Sequence, residues 1–263
     1  MPIITKISVQ QKNKERYNIF LNDEYAFSVD EAVLTRFQLK KGKDVSHHEI
    51  QEFQIADDLR KSVNKAIHYL SRRMRSEQEV RNYLRKIEVE EAIIQAVIDR
   101  LYELNYLNDD EFTEAYVKTQ MNTTDKGTEL ITKELKEKGI QDDLIDKHLS
   151  IFPEELQLEK AEKIVQKIAL KNRNESAVQI KKKAEQSLRR KGYSWGVITQ
   201  IKVETKEDDW EVLLYQLEKA KRKYTRFSGF ELEMKIKQYL YRKGFSFDQI
   251  EKGIRFIRNT EGD

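Results

Sequence analysis

Two stretches of the chain repeat each other at a distance of 52 residues. "SLRRKGYSWGVI" runs from Ser187 to Ile198, and "YLYRKGFSFDQI" runs from Tyr239 to Ile250. Two weaker copies precede them: "ELKEKGIQDDLI" from Glu134 to Ile145, and "YLRKIEVEEAII" from Tyr83 to Ile94. The leucines that anchor the four copies are Leu84, Leu135, Leu188 and Leu240, spaced by 51, 53 and 52 residues. A fixed period near fifty restricts a chain to a tandem array of one supersecondary unit, in which each unit buries its apolar face against its neighbours.

The conserved letters of the pattern have mechanical readings. Gly139, Gly192 and Gly244 each follow a helical run, where a left-handed residue ends a helix without a Cβ penalty. Ile140, Tyr193 and Phe245 come next and supply the apolar contact that accompanies such a stop. Ser194 and Ser246 then stand where the following helix needs an N-cap. Upstream, Ser76-x-x-Glu79, Ser176-x-x-Gln179 and Ser228-x-x-Glu231 read as capping boxes that open the preceding helix. That serine lies 8 residues before the anchoring leucine in the first copy and 12 before it in the last two. The middle helix should therefore be about one turn longer in the later copies. Copy one has Ile87-Glu88 where the others have Lys-Gly, so a differently built turn is expected there.

Each unit then has three helices: an amphipathic first helix, a basic middle helix, a glycine turn and a short third helix. Leu158, Ala161, Val165 and Ile168 share one helical face, as do Leu213, Leu217, Ala220 and Tyr224. Acidic residues mark first-helix starts at Asp109, Asp110 and Glu111, at Glu154 and Glu155, and at Glu207, Asp208 and Asp209, where they suit the helix dipole. The first forty-odd residues differ. Ile3, Thr5, Ile7 and Val9 alternate at period two, as do Tyr17, Ile19 and Leu21, then Tyr25, Phe27 and Val29. With the turn signal Asn22-Asp23-Glu24, this predicts a small three-stranded antiparallel sheet. "KKGKD" (Lys40 to Asp44) reads as a linker. The fold class is mainly α: four helix-turn-helix-like repeats, elongated and curved, behind an N-terminal β segment. The boundaries are 1–45 for the β segment, then 46–106, 107–152, 153–204 and 205–260 for the repeats. Such an array suits a composition that is 38% hydrophobic and 36% charged, lean for a single compact core.

With a net charge of +3, any attraction to a polyanion must come from local clusters. Arg72, Arg73, Arg75, Arg81 and Arg85 crowd the first repeat, with Lys86 beside them. Lys181, Lys182, Lys183, Arg189, Arg190 and Lys191 follow in the third. Lys221, Arg222 and Lys223 lie in the fourth, within a run from Lys219 to Arg226, and Arg242 and Lys243 stand beside the last glycine. For one cluster alone a solvated helix face is an equal reading; recurrence in several units favours a long polyanionic or acidic partner. Base-specific reading by the last helix of each unit is disfavoured, since "DDLIDKHL" (Asp142 to Leu149) is acidic and "WGVITQIKV" mostly apolar. Tyr193, Trp195, Phe245 and Phe247 fit core packing better than base stacking.

No catalytic or metal constellation emerges. The chain has no cysteine, no phosphate loop and no H-E-x-x-H motif. His47 and His48 lie in a linker-like segment, and His68 and His148 stand alone on helices. No cofactor is expected. Without a long apolar run or a signal-peptide pattern, the expectation is a cytoplasmic, non-enzymatic protein with no membrane contact. Because repeats bury each other's faces, it should be a monomer.

Three blocks resemble the RecX regulatory proteins. "YLSRRMRSEQEVRNYLRK" (Tyr69 to Lys86) carries Leu70, Arg73, Ser76, Glu79 and Leu84. "VIDRLYELNYLNDDEFTEAYV" (Val97 to Val117) carries Leu101, Leu107, Asp109, Phe112, Tyr116 and Val117. "KGTELITKELKEKGI" (Lys126 to Ile140) carries Gly127, Glu134, Leu135, Lys138, Gly139 and Ile140. The chain resembles a longer form of that family with an added N-terminal segment. The resemblance implies tandem three-helix units without catalysis, bound in the groove of a RecA filament on single-stranded DNA. It also implies limits on filament growth, ATP hydrolysis, strand exchange and co-protease action. General nucleic-acid binding, including weak direct contact with DNA, and a pure protein-binding scaffold remain open as alternatives.

Overall fold

The computed structural model describes residues 1–202 and 210–261. They fall into two compact units, one of residues 1–114 with 136–142 and the other of 115–135 with 143–263. The acidic Glu207, Asp208 and Asp209 lie outside the described residues. The fold is mainly helical behind a small sheet.

The first unit opens with β1 (Ile4–Val9), β2 (Arg16–Leu21) and β3 (Glu24–Asp30), antiparallel in that order. Ile7 pairs with Ile19, and Ile19 with Phe27. Asn22 and Asp23 turn the hairpin with φ of +49° and +70°, as a two-residue loop matched to strand twist requires. Ile4, Ile19, Phe27 and Val29 are buried against Val33 of α1 (Glu31–Arg36) and Phe53 of α2 (His47–Leu70). Helix α1 escaped the periodicity because it is six residues long; Asp30 caps it by accepting from the Ala32 N–H. Lys40 to Asp44 is not a free linker. The Ile4 N–H donates to the Lys43 carbonyl at 2.9 Å and the Gly42 N–H to that of Ile4 at 2.8 Å. Leu39 and Val45, flanking the lysines, are buried and anchor it. His47 and His48 likewise belong to the first turn of α2, behind a capping box of Ser46 and Glu49.

A buried ion pair ties the sheet to α2. Asp57, 2% exposed, receives both guanidinium nitrogens of Arg16 at 3.1 and 2.8 Å, the Lys61 ammonium at 2.8 Å and the Asp30 N–H at 2.7 Å. Burial alone would raise its pKa, but these donors hold it below the ordinary aspartate value. Sequence patterns do not expose this tie, since its partners are 41 residues apart.

Helices α3 (Glu77–Lys86) and α4 (Glu91–Glu103) complete the first three-helix group with α2. Val63, Ala66, Val80, Leu84, Ile94, Ile98 and Leu101 form its core. Next come α5 (Asp109–Thr123), α6 (Thr128–Glu137) and α7 (Asp142–Leu149), then α8 (Glu154–Lys171), α9 (Ala177–Arg190) and α10 (Trp195–Gln200). The last group is α11 (Trp210–Lys223), α12 (Gly229–Arg242) and α13 (Phe247–Glu261). The middle helices α3 and α6 have 10 residues and α9 and α12 have 14, matching the one-turn difference read from the serine spacing. The third helix is short only in the middle groups. At 13 residues in α4 and 15 in α13, it is long in the outer two.

Gly139, Gly192 and Gly244 take φ of +78°, +79° and +90°. The Tyr193 N–H bonds the Leu188 carbonyl at 3.1 Å, and the Phe245 N–H that of Leu240 at 3.3 Å. Copy one builds the same stop, contrary to expectation. Glu88 has φ +60°, and the Val89 N–H reaches the Leu84 carbonyl at 3.1 Å. Tertiary contact explains why glutamate suffices there. A Cβ at Gly139 would lie 2.6 Å from the Cβ of Gln78, and one at Gly192 would lie 2.2 Å from the Leu130 nitrogen. At Gly244 it would lie 2.9 Å from the Ser176 hydroxyl. Each glycine thus seats against the start of the preceding group's middle helix, whereas Glu88 is exposed.

The opening serines complete these joints. Ser76, fully buried, accepts from the Glu79 N–H and donates to the Lys138 carbonyl at 2.8 Å. Ser176 does the same with the Gln179 N–H and the Lys243 carbonyl, at 2.5 Å. Its partner Gln179 does not close a capping box; its amide donates to the Arg242 carbonyl at 3.1 Å. Between these joints Gly127 replaces serine, and its backbone N–H meets the Lys191 carbonyl at 2.8 Å. At Ser228 the expected cap does not form.

Gly192→Ala is expected to cost about 2–5 kcal/mol, from left-handed backbone strain plus overpacking. Glu88→Gly, with an open surface around it, should change stability by no more than about 1 kcal/mol. Urea unfolding of both variants measures the contrast; equal losses would refute the seating argument.

Candidate functional site

Helix α9 shows how a cationic face is made. Ile180, Ala184 and Leu188, four residues apart, are buried, so the chain between them turns outward. Lys181, Lys182, Gln186, Arg189 and Arg190 are exposed. Among the described residues, Lys181, Lys182 and Arg190 have no acidic or hydrogen-bonding side-chain partner. Lys183 differs: its ammonium is held by Glu175 at 2.7 Å and by Asn172 at 2.8 Å. Lys191 lies 3.7 Å from Asp125.

The first cluster is largely neutralised within its own unit. Arg73 pairs with Glu79 at 2.9 Å, Arg81 with Glu77 at 2.7 Å and Arg85 with Glu91 at 2.6 Å. Arg75 stacks on the Tyr69 ring at 3.6 Å and donates to its carbonyl. Arg72 alone of those five arginines is exposed without a partner among the described residues. In the last repeat, Lys223 lies over the rings of Tyr224 and Tyr239, and Lys243 also over Tyr239. Arg242 donates to the Gln238 carbonyl at 3.3 Å, and Lys221 is not free. Arg222 is exposed. The sixteen candidate cations therefore differ sharply in availability, which sequence counting cannot show.

Glu79 organises the first cluster. It accepts from Arg73, from Lys138 at 3.2 Å and from the Ser76 N–H. Burial opposes its ionisation, yet the bonds from Arg73, Lys138 and Ser76 outweigh it and bring the carboxyl from 4.5 down to about 2. Nearby Asp109 caps α3 by accepting from the Glu77 N–H at 2.8 Å. Its own pKa is raised, mainly by burial and then by the neighbouring Glu77 and Glu79 charges.

The four aromatics separate into two pairs. Tyr193 and Phe245 are 1% and 2% exposed and belong to the cores, as expected. The Tyr193 hydroxyl is buried without a hydrogen-bond partner among the described residues, and burial, then Asp125, pushes it to about 12. Trp195 and Phe247, by contrast, are 55% and 64% exposed. Arg189 lies over the Trp195 ring at 4.7 Å and Lys237 over Phe247 at 5.9 Å. The first position of the third helix thus carries an outward ring with a cation above it in the last two groups. Spacing carried no signal of this: Trp195 and Phe247 stand three residues before the buried Ile198 and Ile250, on the stripe side of an ideal helix, so only the packed structure turns them outward.

Among the described residues no cluster of acidic and histidine side chains is arranged to hold a metal ion. Nor is any helix among them long and apolar enough to cross a membrane.

Family comparison accounts for nearly the whole chain. The model of the regulatory protein RecX N-terminal domain matches residues 2–46. Those of the first and second RecX three-helix domains match 63–101 and 108–149. The third three-helix domain matches twice, at 154–201 and 207–254. The chain belongs to the RecX family. Regulatory protein RecX of Bacillus velezensis is 47% identical over 97% of this chain and 99% of its own length. That of Bacillus subtilis is 48% identical over 96% and 97%. A crystal structure of regulatory protein RecX shares 34% identity and a TM-score of 0.70, covering 78% of this chain and 100% of the other. RecX from Lactobacillus salivarius gives 37% and 0.52, covering 55% and 94%. The double match makes the fourth repeat a second copy of the third RecX domain, in keeping with the shared 14-residue middle helix. The N-terminal match extends the family to the sheet, beyond the blocks that first suggested it.

Lowering pH should weaken the first repeat through Glu79. Its ionised form contributes fully above about pH 4.5, and the contribution is lost as pH falls toward about 2. Urea midpoints of the wild type and Glu79→Gln at about pH 5 and pH 3 read this out. The wild-type advantage should shrink at the lower pH; a constant gap would contradict the ionised, triply bonded carboxylate.

Proposed function

We propose that the chain is a non-enzymatic regulator of RecA. It binds in the groove of the RecA filament on single-stranded DNA and limits assembly, ATP hydrolysis, strand exchange and co-protease activity. The segments 46–106, 107–152, 153–204 and 205–260 act as successive repeats of one monomer. Near-full-length similarity to proteins named regulatory protein RecX supports this reading. The observation that carries the contact is the α9 face, where Lys181, Lys182 and Arg190 point outward with no internal partner among the described residues. Cations already paired inside the fold offer less to an outside anion, since the internal bonds must first break. The first-repeat cluster is accordingly the weaker contact, with Arg72 its exception, and Arg222 is an exposed cation of α11.

A second reading, direct contact with single-stranded nucleic acid, draws on Trp195 and Phe247. Exposed rings with neighbouring cations are what unpaired bases stack on, at about 1–3 kcal/mol per base. The two readings separate by affinity for bare against RecA-coated single-stranded DNA at two salt concentrations.

The first test is RecA's single-stranded-DNA-dependent ATPase. Adding the chain at or below stoichiometry should lower the rate and shorten filaments; unchanged rate and length would end the proposal. Replacing Lys181, Lys182 and Arg190 together by Glu should weaken filament binding at least about tenfold and reduce the log–log salt slope by about 2. Folding stability should move by about 0.5 kcal/mol per site or less, as exposed substitutions do. Undiminished affinity would remove α9 from the interface.

A further inference from the structure

Three times within the chain, the start of a middle helix receives the glycine stop of the next repeat. Ser76 and Gln78 take Gly139, Gly127 and Leu130 take Gly192, and Ser176 and Val178 take Gly244. The fourth repeat has the same receiving face and nothing on it among the described residues. Ser228 and Phe230 stand 52 residues after Ser176 and Val178. Ser76 and Ser176 are buried at 0% and 1%, whereas Ser228 is exposed, uncapped, and Phe230 is 81% exposed. Beside Phe230 a groove of about 430 Å³ opens between α11, α12 and α13. Leu217, Leu232, Ile236 and Ile254 line it, with Lys221 and Glu233 among its polar residues.

We propose that this face docks a helix of another protein that ends in a left-handed glycine followed by an apolar residue. The occupant follows from continuity with the three internal joints. There the received element is a helix C-terminus whose last carbonyl accepts a hydrogen bond, from serine in two cases and from the Gly127 N–H in the third. Its next residue has no Cβ, and the apolar residue after that is buried: Ile140 at 5%, Tyr193 at 1%, Phe245 at 2%. At Ser228 the hydroxyl is free to donate to such a carbonyl. Phe230 is larger than Val178, and its ring covers the incoming turn.

A second copy of the chain does not fit. Its glycine turns in repeats two to four are already seated, and the one turn left open carries Glu88. Internal joints leave only 2.2–2.9 Å for the atom nearest a Cβ at that position, so a glutamate there is rejected. The same residue that needs no glycine at one end thereby keeps copies from joining end to end.

The probe is a synthetic peptide of residues 232–250, "LEMKIKQYLYRKGFSFDQI", held helical by a lactam bridge on its solvent face, together with its Gly244→Ala counterpart. Each is titrated into isotope-labelled full-length chain and followed by amide NMR shifts. The glycine peptide should shift Ser228 to Leu232, and the alanine peptide should bind at least tenfold more weakly. Phe230→Asp in the full chain should abolish the shifts with an unchanged circular-dichroism melt, since that side chain is outside the core. No shifts at Ser228 to Leu232, equal binding of the two peptides, or persistence in the Phe230→Asp chain would each overturn the proposal. A dimer in sedimentation that disappears in Phe230→Asp would overturn it too, by making a second copy the occupant.

Discussion

The joint between a helix-opening serine and the next repeat's glycine is the contact on which the helical part of this protein depends. It satisfies two sets of backbone groups that a helix leaves without partners, N–H groups at one end and carbonyls at the other. One hydroxyl serves both: Ser76 accepts from the Glu79 N–H and donates to the Lys138 carbonyl. Close approach is possible only because the residue after that carbonyl has no Cβ. The glycine is therefore demanded twice, by its own left-handed φ and by the neighbour pressed against it. Glu88 separates the two demands. It meets the first at a modest strain and is spared the second.

This explains why the pattern varies where it does. Gly127 stands in place of a serine, and a Cβ there would lie 2.3 Å from the Gly192 carbonyl oxygen. That joint has drawn so close that backbone meets backbone, and the hydroxyl is replaced by an N–H. Ser228, on which no turn is seated among the described residues, keeps its letter and loses its cap. A capping serine here is held partly by what it docks, so the local motif is not sufficient for the local geometry.

Charge follows the same separation between local pattern and long-range placement. Both basic clusters on middle helices looked alike as sequence. In the first cluster Arg73, just before α3, and Arg81 and Arg85 within it turn back onto Glu79, Glu77 and Glu91. In α9 the buried stripe of Ile180, Ala184 and Leu188 leaves Lys181, Lys182 and Arg190 facing water, paired with no carboxylate among the described residues. The difference is a matter of which acids the fold brings alongside, and Glu79 with Lys138 shows that some of them come from 59 residues away.

Periodicity by itself determined the repeat number, the helix stops, the one-turn longer middle helices and the sheet with its Asn22-Asp23 turn, because each rests on interactions within about a dozen residues. Helix α1 was too short to show a period, and the Lys40 to Asp44 segment read as a linker because its lysines hide the anchors Leu39 and Val45. Only the tertiary structure decided why three turns require glycine and one does not, which cations are free, and which aromatics face outward. It also decided the Arg16–Asp57 tie. Those outcomes depend on partners tens of residues apart, whose approach is fixed by packing and backbone hydrogen-bond satisfaction rather than by any local pattern.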